Sequence, residues 1–224
     1  MSNELVDEKR QTVSEQQETR CTMRKRSRQD IRQDILNATL DEIEVQGPDF
    51  HMDDLARKMC ISKRTLYEYF SSKQEIIKEA LISMMDAIYD RHLELLQDPS
   101  LSAEEKLVGF FKIRTRTTGV FSMRRANQIF TKMPEICAGL DEYSQRDWSL
   151  LERLFQEAQT SEEFREFDQQ LLMHILRSAS DGVLDYVEQT KDDFSYPEYM
   201  EKCIRIILYG IKKDRGLVLH DTET

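Results

Sequence analysis

Between Asp53 and Phe70 the chain reads DDLARKMCISKRTLYEYF, and few folds accept that pattern. Leu55, Ala56 and Met59 make one apolar helical face, and after an interruption at Cys60-Ile61-Ser62, Leu66 and Phe70 at i and i+4 make a second. The spacing predicts two short amphipathic helices joined by a tight turn, with Ser62 capping the second. Small Ala56 and Cys60, followed by apolar Ile61 and Leu66, have the spacing by which a helix-turn-helix packs its two helices. Lys63, Arg64, Thr65, Tyr67, Glu68 and Tyr69 then face outward on a helix slim enough for a major groove.

Those residues carry a resemblance. Ser62-Lys63, Thr65-Leu66-Tyr67, Phe70 and Lys73 fall in register with the DNA-binding domain of the tetracycline-repressor-like (TetR/AcrR) family of transcriptional regulators. Upstream, Arg32, Ile35-Leu36, Ala38, Ile43 and Gly47 resemble the family's first helix and its terminating glycine, and Ser72-Lys73 resembles the start of its long fourth helix. The resemblance covers roughly residues 28–80; beyond it, only the helical pattern is similar. Two positions depart from the family's pattern. Cys60 stands where the family usually has glycine, at a cost of about 1 kcal/mol if the backbone keeps a positive φ. His51 stands where a threonine usually caps the second helix and touches phosphate, which leaves the capping to Asp53 or to a shifted helix start.

Hydrophobic content of 39% with only 7 Gly and 4 Pro in 224 residues favours an all-α globular chain. No run reaches the roughly 18 apolar residues of a membrane span, and the polar N-terminus is unlike a signal peptide, so a cytoplasmic location with no membrane partner is expected. The 4 cysteines are scattered, without metal-ligand spacing. A net charge of −10, taken as a whole, argues against nucleic acid, but its distribution argues the other way. Residues 20–73 carry 11 basic and 9 acidic side chains, while residues 74–224 carry 19 and 28. Phosphate would attract the first segment and repel the second.

Residues 1–26 lack a sustained apolar period and read as a disordered tail; Arg20, Arg24, Lys25, Arg26 and Arg28 form a basic cluster at its end. That cluster is either solvated or an arm adding phosphate or minor-groove contacts. A helix-turn-helix DNA-binding domain over 27–73 follows, then a helical ligand-binding and dimerisation domain over 74–213, then a tail over 214–224. Helices are expected over Asp30–Gln46, from Ser72-Lys73 to Gln97, from the capping box Ser102-Ala103-Glu104-Glu105, and over Phe121–Lys132, Glu135–Gln159, Gln169–Glu188 and Tyr196–Lys213. Small residues within the apolar faces of the last two allow close approach of another backbone. The resemblance implies that these two helices pair with their copies in a homodimer.

By the same resemblance the chain is a regulator, more often a repressor, that binds double-stranded DNA at a palindromic operator. Lys63, Arg64, Thr65 and Tyr67 are then expected near base edges, Tyr69, Lys73 and His51 on phosphates, and Ser62 at the helix start. Glu68 either accepts from a cytosine amine or pairs with Arg64 at i, i+4. In the C-terminal half, Phe110, Phe130 and Trp148 are candidate lining for a small hydrophobic or amphipathic ligand, or ordinary core. Arg114, His174 and Arg177 lie beside apolar stripes where charge needs a partner, either a ligand's polar end or an internal acid such as Asp181. The glycine-rich phosphate loop, HExxH and the nucleophile elbow are all missing from the sequence, so no catalytic residue, metal ligand or cofactor is assigned. The alternative reading is a helical interaction or architectural DNA-binding protein without a small-molecule inducer.

Overall fold

The computed structural model describes residues 27–113, 122–161, 164–191 and 194–211. Arg114, Phe121 and both expected tails therefore lie outside the described residues. Among the described residues every element is helical, apart from an isolated bridge between Ser122 and Ser195. No described helix is long and apolar enough to cross a membrane. The chain divides into two compact units, residues up to 84 with 128–139, and residues 85–127 with those from 140 onward.

In the first unit, α1 spans Arg28–Gln46, beginning two residues before the expected start because Ser27 and Asp30 close a reciprocal capping box. It ends at Gly47, whose φ of 78° lets its N–H reach the Ile43 carbonyl at 2.7 Å. Helices α2 (Met52–Lys58) and α3 (Lys63–Tyr69) follow, and α4 runs over Lys73–Gln97. Ile35, Ile43, Phe50, Leu55, Leu66, Phe70, Ile76 and Ile77 form the buried core of this unit. The segment 128–139 brings the end of α6 (Met123–Lys132) and all of α7 (Pro134–Ala138) into it. Lys132 pairs there with Asp49, and Gln74 donates to Glu135 at 3.0 Å.

The second unit holds α5 (Ala103–Phe110), α8 (Asp141–Thr160), α9 (Gln169–Asp181), α10 (Val183–Thr190) and α11 (Tyr196–Ile211). Leu107, Phe110, Trp148, Leu151, Phe155, Leu172, Leu176 and Ile204 share its buried cluster. The caps lie where the residue types suggest: Ser102 and Glu105 close a capping box, and Asp168 accepts from the Leu171 N–H. Two expected helices are each divided at a glycine. The expected Glu135–Gln159 helix is α7 and α8 separated at Gly139, and Gln169–Glu188 is α9 and α10 separated at Gly182. Glycine is about 1 kcal/mol poorer than alanine inside a helix, so the ladder gives way there first.

Candidate DNA-binding interface

The turn between α2 and α3 is built from its own backbone. The Cys60 N–H reaches the Arg57 carbonyl at 3.0 Å, the Ile61 N–H reaches that of Ala56 at 3.0 Å, and Cys60 takes φ 53°. Cys60 therefore keeps the left-handed conformation that glycine would adopt without strain. Lys58 secures the end of α2 to α1, with its ammonium 3.1 Å from Glu42 and 3.4 Å from Asp41.

Ser62 Oγ accepts the Thr65 N–H at 3.0 Å and lies 2.9 Å from the Thr65 hydroxyl, so α3 starts with a satisfied cap. Leu66 is fully buried beneath it, while Lys63, Arg64, Tyr67 and Glu68 are exposed and Thr65 and Tyr69 are half-buried. Tyr67 leaves 45% of its surface open, unusual for a large ring, and a flat face there is suited to a base or sugar. Arg64 and Glu68 pair at 3.5 Å, the i, i+4 alternative expected for Glu68. Lys63 reaches back to Asp53 on α2 at 3.1 Å; half-exposed on both sides, that pair is easily exchanged for phosphate. Lys73 is more confined. Its ammonium donates to the Phe50 carbonyl at 2.5 Å and lies 4.4 Å from the Phe50 ring centre, and partial burial lowers its pKa. His51 occupies the cap position of α2, exposed and without a side-chain cap, so Asp53 and Asp54 in the first turn supply the negative charge that the helix end favours.

Residues 35–80 match the family described as bacterial regulatory proteins, tetR family. The HTH-type transcriptional regulator YvaF of Bacillus subtilis (strain 168) is 24% identical over 180 residues, which is 80% of this chain and 95% of that protein. By the first of these matches the chain is similar to the TetR family over residues 35–80. It is a DNA-binding transcriptional regulator and not an enzyme. Its fold is shared by a transcriptional regulator from Saccharomonospora viridis in complex with choline, at 22% identity and a TM-score of 0.65, covering 84% of this chain and all of that one. It is shared too by FadR from Bacillus subtilis in complex with stearoyl-CoA, at 17% identity and a TM-score of 0.58, covering 79% and 97%.

Most of the remaining candidate residues lie in the second unit. Phe110 and Trp148 lie together in its buried cluster. Phe130, half-buried, belongs to the first unit. His174 is exposed on α9, so it needs no internal partner. Arg177 lies 5.3 Å from the Trp148 ring centre and pairs with Glu152 at 3.0 Å; its acid is on the neighbouring α8 and is not Asp181. Among the buried polar residues that sequence reasoning missed is His92. Its ring stacks on Phe110 with centroids 3.6 Å apart and 3° between the planes, its Nδ1 lies 3.0 Å from Asp147, and its Nε2 lies 3.0 Å from the Phe110 carbonyl. A signal existed, since His92 follows Ile88 at i+4 on the apolar stripe of α4.

Proposed function

We propose that this regulator is a ligand-responsive, cytoplasmic repressor that binds a palindromic operator as a homodimer and releases it when a small molecule occupies the second unit. The observation that carries the DNA half is the capped α3, with Lys63, Arg64 and Tyr67 exposed on one short helix. Such a helix reads only a few base pairs, so specificity needs a second copy set about 34–36 Å away in the next major groove. In the bound state Lys63 exchanges Asp53 for DNA, Arg64 and Tyr67 meet base edges, and Tyr69, His51 and Lys73 hold the backbone.

Support for a dimer comes from Leu171, Ile175, Tyr186 and Ile206, which leave 46–75% of their surface open on α9, α10 and α11. Support for a ligand comes from the choline and stearoyl-CoA complexes of the two structural neighbours, whose ligands differ so much that neither is carried over. A ligand shifts the equilibrium only through its unequal affinity for the bound and released states. One observation favours the reading without an inducer: Phe110 and Trp148 are engaged within the second unit's own core, by His92 and Arg177 respectively.

Selection from random-sequence duplexes, followed by titration at several salt concentrations, tests the DNA half. An enriched palindrome is expected, with half-sites about 10 base pairs apart or a multiple of that, and an Arg64→Ala, Tyr67→Ala double variant is expected to bind it at least about tenfold more weakly. Unselective binding by the parent chain, or full affinity in a folded double variant, overturns the reading.

A further inference from the structure

Arg28 stands at the end of the N-terminal basic cluster, which the sequence leaves as either a solvated tail or an arm reaching for DNA. Its guanidinium, though exposed, rests on the recognition helix. Arg28 Nη2 donates to the Glu68 carbonyl at 3.1 Å, across 40 residues of sequence, and its guanidinium carbon lies 5.4 Å from the centre of the Tyr69 ring. One turn further along α1, Arg32 lies 4.6 Å from the centre of the Phe70 ring and pairs with Glu79 on α4. Two arginines at i and i+4 thus grip three consecutive residues at the C-terminal end of α3.

The Glu68 carbonyl is one of the four that a helix leaves without an intrahelical partner at its C-terminus, where a cation also complements the helix dipole. A seven-residue helix has little stability of its own, so a fixed last turn governs where Arg64, Tyr67 and Tyr69 point. We infer that Arg28 is a positioning residue for DNA readout: it closes the C-terminal end of the recognition helix onto α1 and sets the angle at which that helix presents its side chains. This rests on the DNA-binding function proposed for α3. It separates Arg28 from phosphate-holding residues, because positioning acts on specificity whereas phosphate contact acts on affinity for every sequence. A lysine does not replace it, since an ammonium lacks the planar fork that donates to a carbonyl while lying over a ring.

The test compares the full-length parent, Arg28→Ala and Arg28→Lys. Amide hydrogen exchange is measured without DNA, and binding to the selected operator and to a scrambled duplex is measured at several salt concentrations. The inference expects faster exchange at the Tyr69 and Phe70 amides in both variants. It also expects about a tenfold fall in the ratio of operator to scrambled affinity, with an unchanged slope of log affinity against log salt. Unchanged exchange overturns it. So does a slope shallower by about 0.9 for each phosphate no longer neutralised with the ratio preserved, which would make Arg28 a phosphate ligand. If the parent enriches no sequence, the DNA-binding reading itself falls and leaves no readout to position; that failure is recognised from the parent alone.

Discussion

Cys60 sits at φ 53°, where its Cβ crowds the following carbonyl. Glycine avoids that crowding and gives back part of the gain as unfolded-state entropy, so Cys60→Gly is expected to stabilise the first unit by about 0.5–1 kcal/mol. Urea unfolding followed by circular dichroism checks this, and an unchanged or lower midpoint contradicts it. His92 is a different case, a buried polar ring with both nitrogens engaged. The Phe110 carbonyl can only accept, so Nε2 is the donor in that contact. His92→Phe keeps a ring against Phe110 but leaves that carbonyl and Asp147 without this partner, for an expected loss of about 2 kcal/mol. Trp148 is the only tryptophan and shares the buried cluster with Phe110, so its fluorescence reports the loss. A His92→Phe chain as stable as the parent would mean that the stack, and not the hydrogen bonds, holds this corner.

At the scale of the element, α3 depends on its junctions. Its start is held by Ser62, its buried face by Leu66, and its passage into α4 by Glu75. The Glu75 carboxylate accepts from both the hydroxyl and the backbone N–H of Ser71, while the Glu75 N–H donates to Ser72 Oγ at 3.1 Å. Those bonds from Ser71 hold the carboxyl below its ordinary value of 4.5. A lowered value in the folded state means that the stabilisation is complete above pH 4.5 and is lost as pH falls through the lowered value. Glu75→Gln is therefore expected to have a lower thermal midpoint than the parent at about pH 7, with the gap closing as pH falls below 4.5. Parallel profiles across that range would show that Glu75 contributes nothing through its charge.

For the whole molecule the open question is assembly. Leu171 and Ile175 lie at i and i+4 on α9, and Ile206 leaves 75% of its surface exposed on α11. Burying a large aliphatic side chain is worth roughly 1.5–3 kcal/mol, and association costs at least about 4, so several such residues must be covered together. Ile206→Glu places a charge on that surface. It is expected to sediment as a monomer with unchanged helicity and to lose most of its affinity for a palindrome while keeping weak binding to a half-site. A dimeric Ile206→Glu chain would contradict the proposed interface on α9 and α11.

Helices α1 to α4, the Ser62 cap of α3, the turn at Cys60 and the outward face of α3 are legible in the residues alone, whereas the Ser27 capping box of α1 is not. Each of the legible features depends on residues no more than about four positions apart, and periodicity and capping chemistry act over that range. The same local rules are blind to contacts across the fold. Arg28 reads as either a solvated tail residue or part of a DNA-contacting arm because Glu68 and Tyr69 lie about 40 residues away. For Arg177 the residues leave open a ligand's polar end or an acid such as Asp181 one helical turn along, whereas tertiary packing brings Glu152 from 25 residues away. His92 finds its partners 18 and 55 residues along the chain, and segment 128–139 joins the first unit from far beyond the helices it accompanies. Tertiary packing alone settles these, because a buried or charged group takes whichever partner is brought within hydrogen-bond reach.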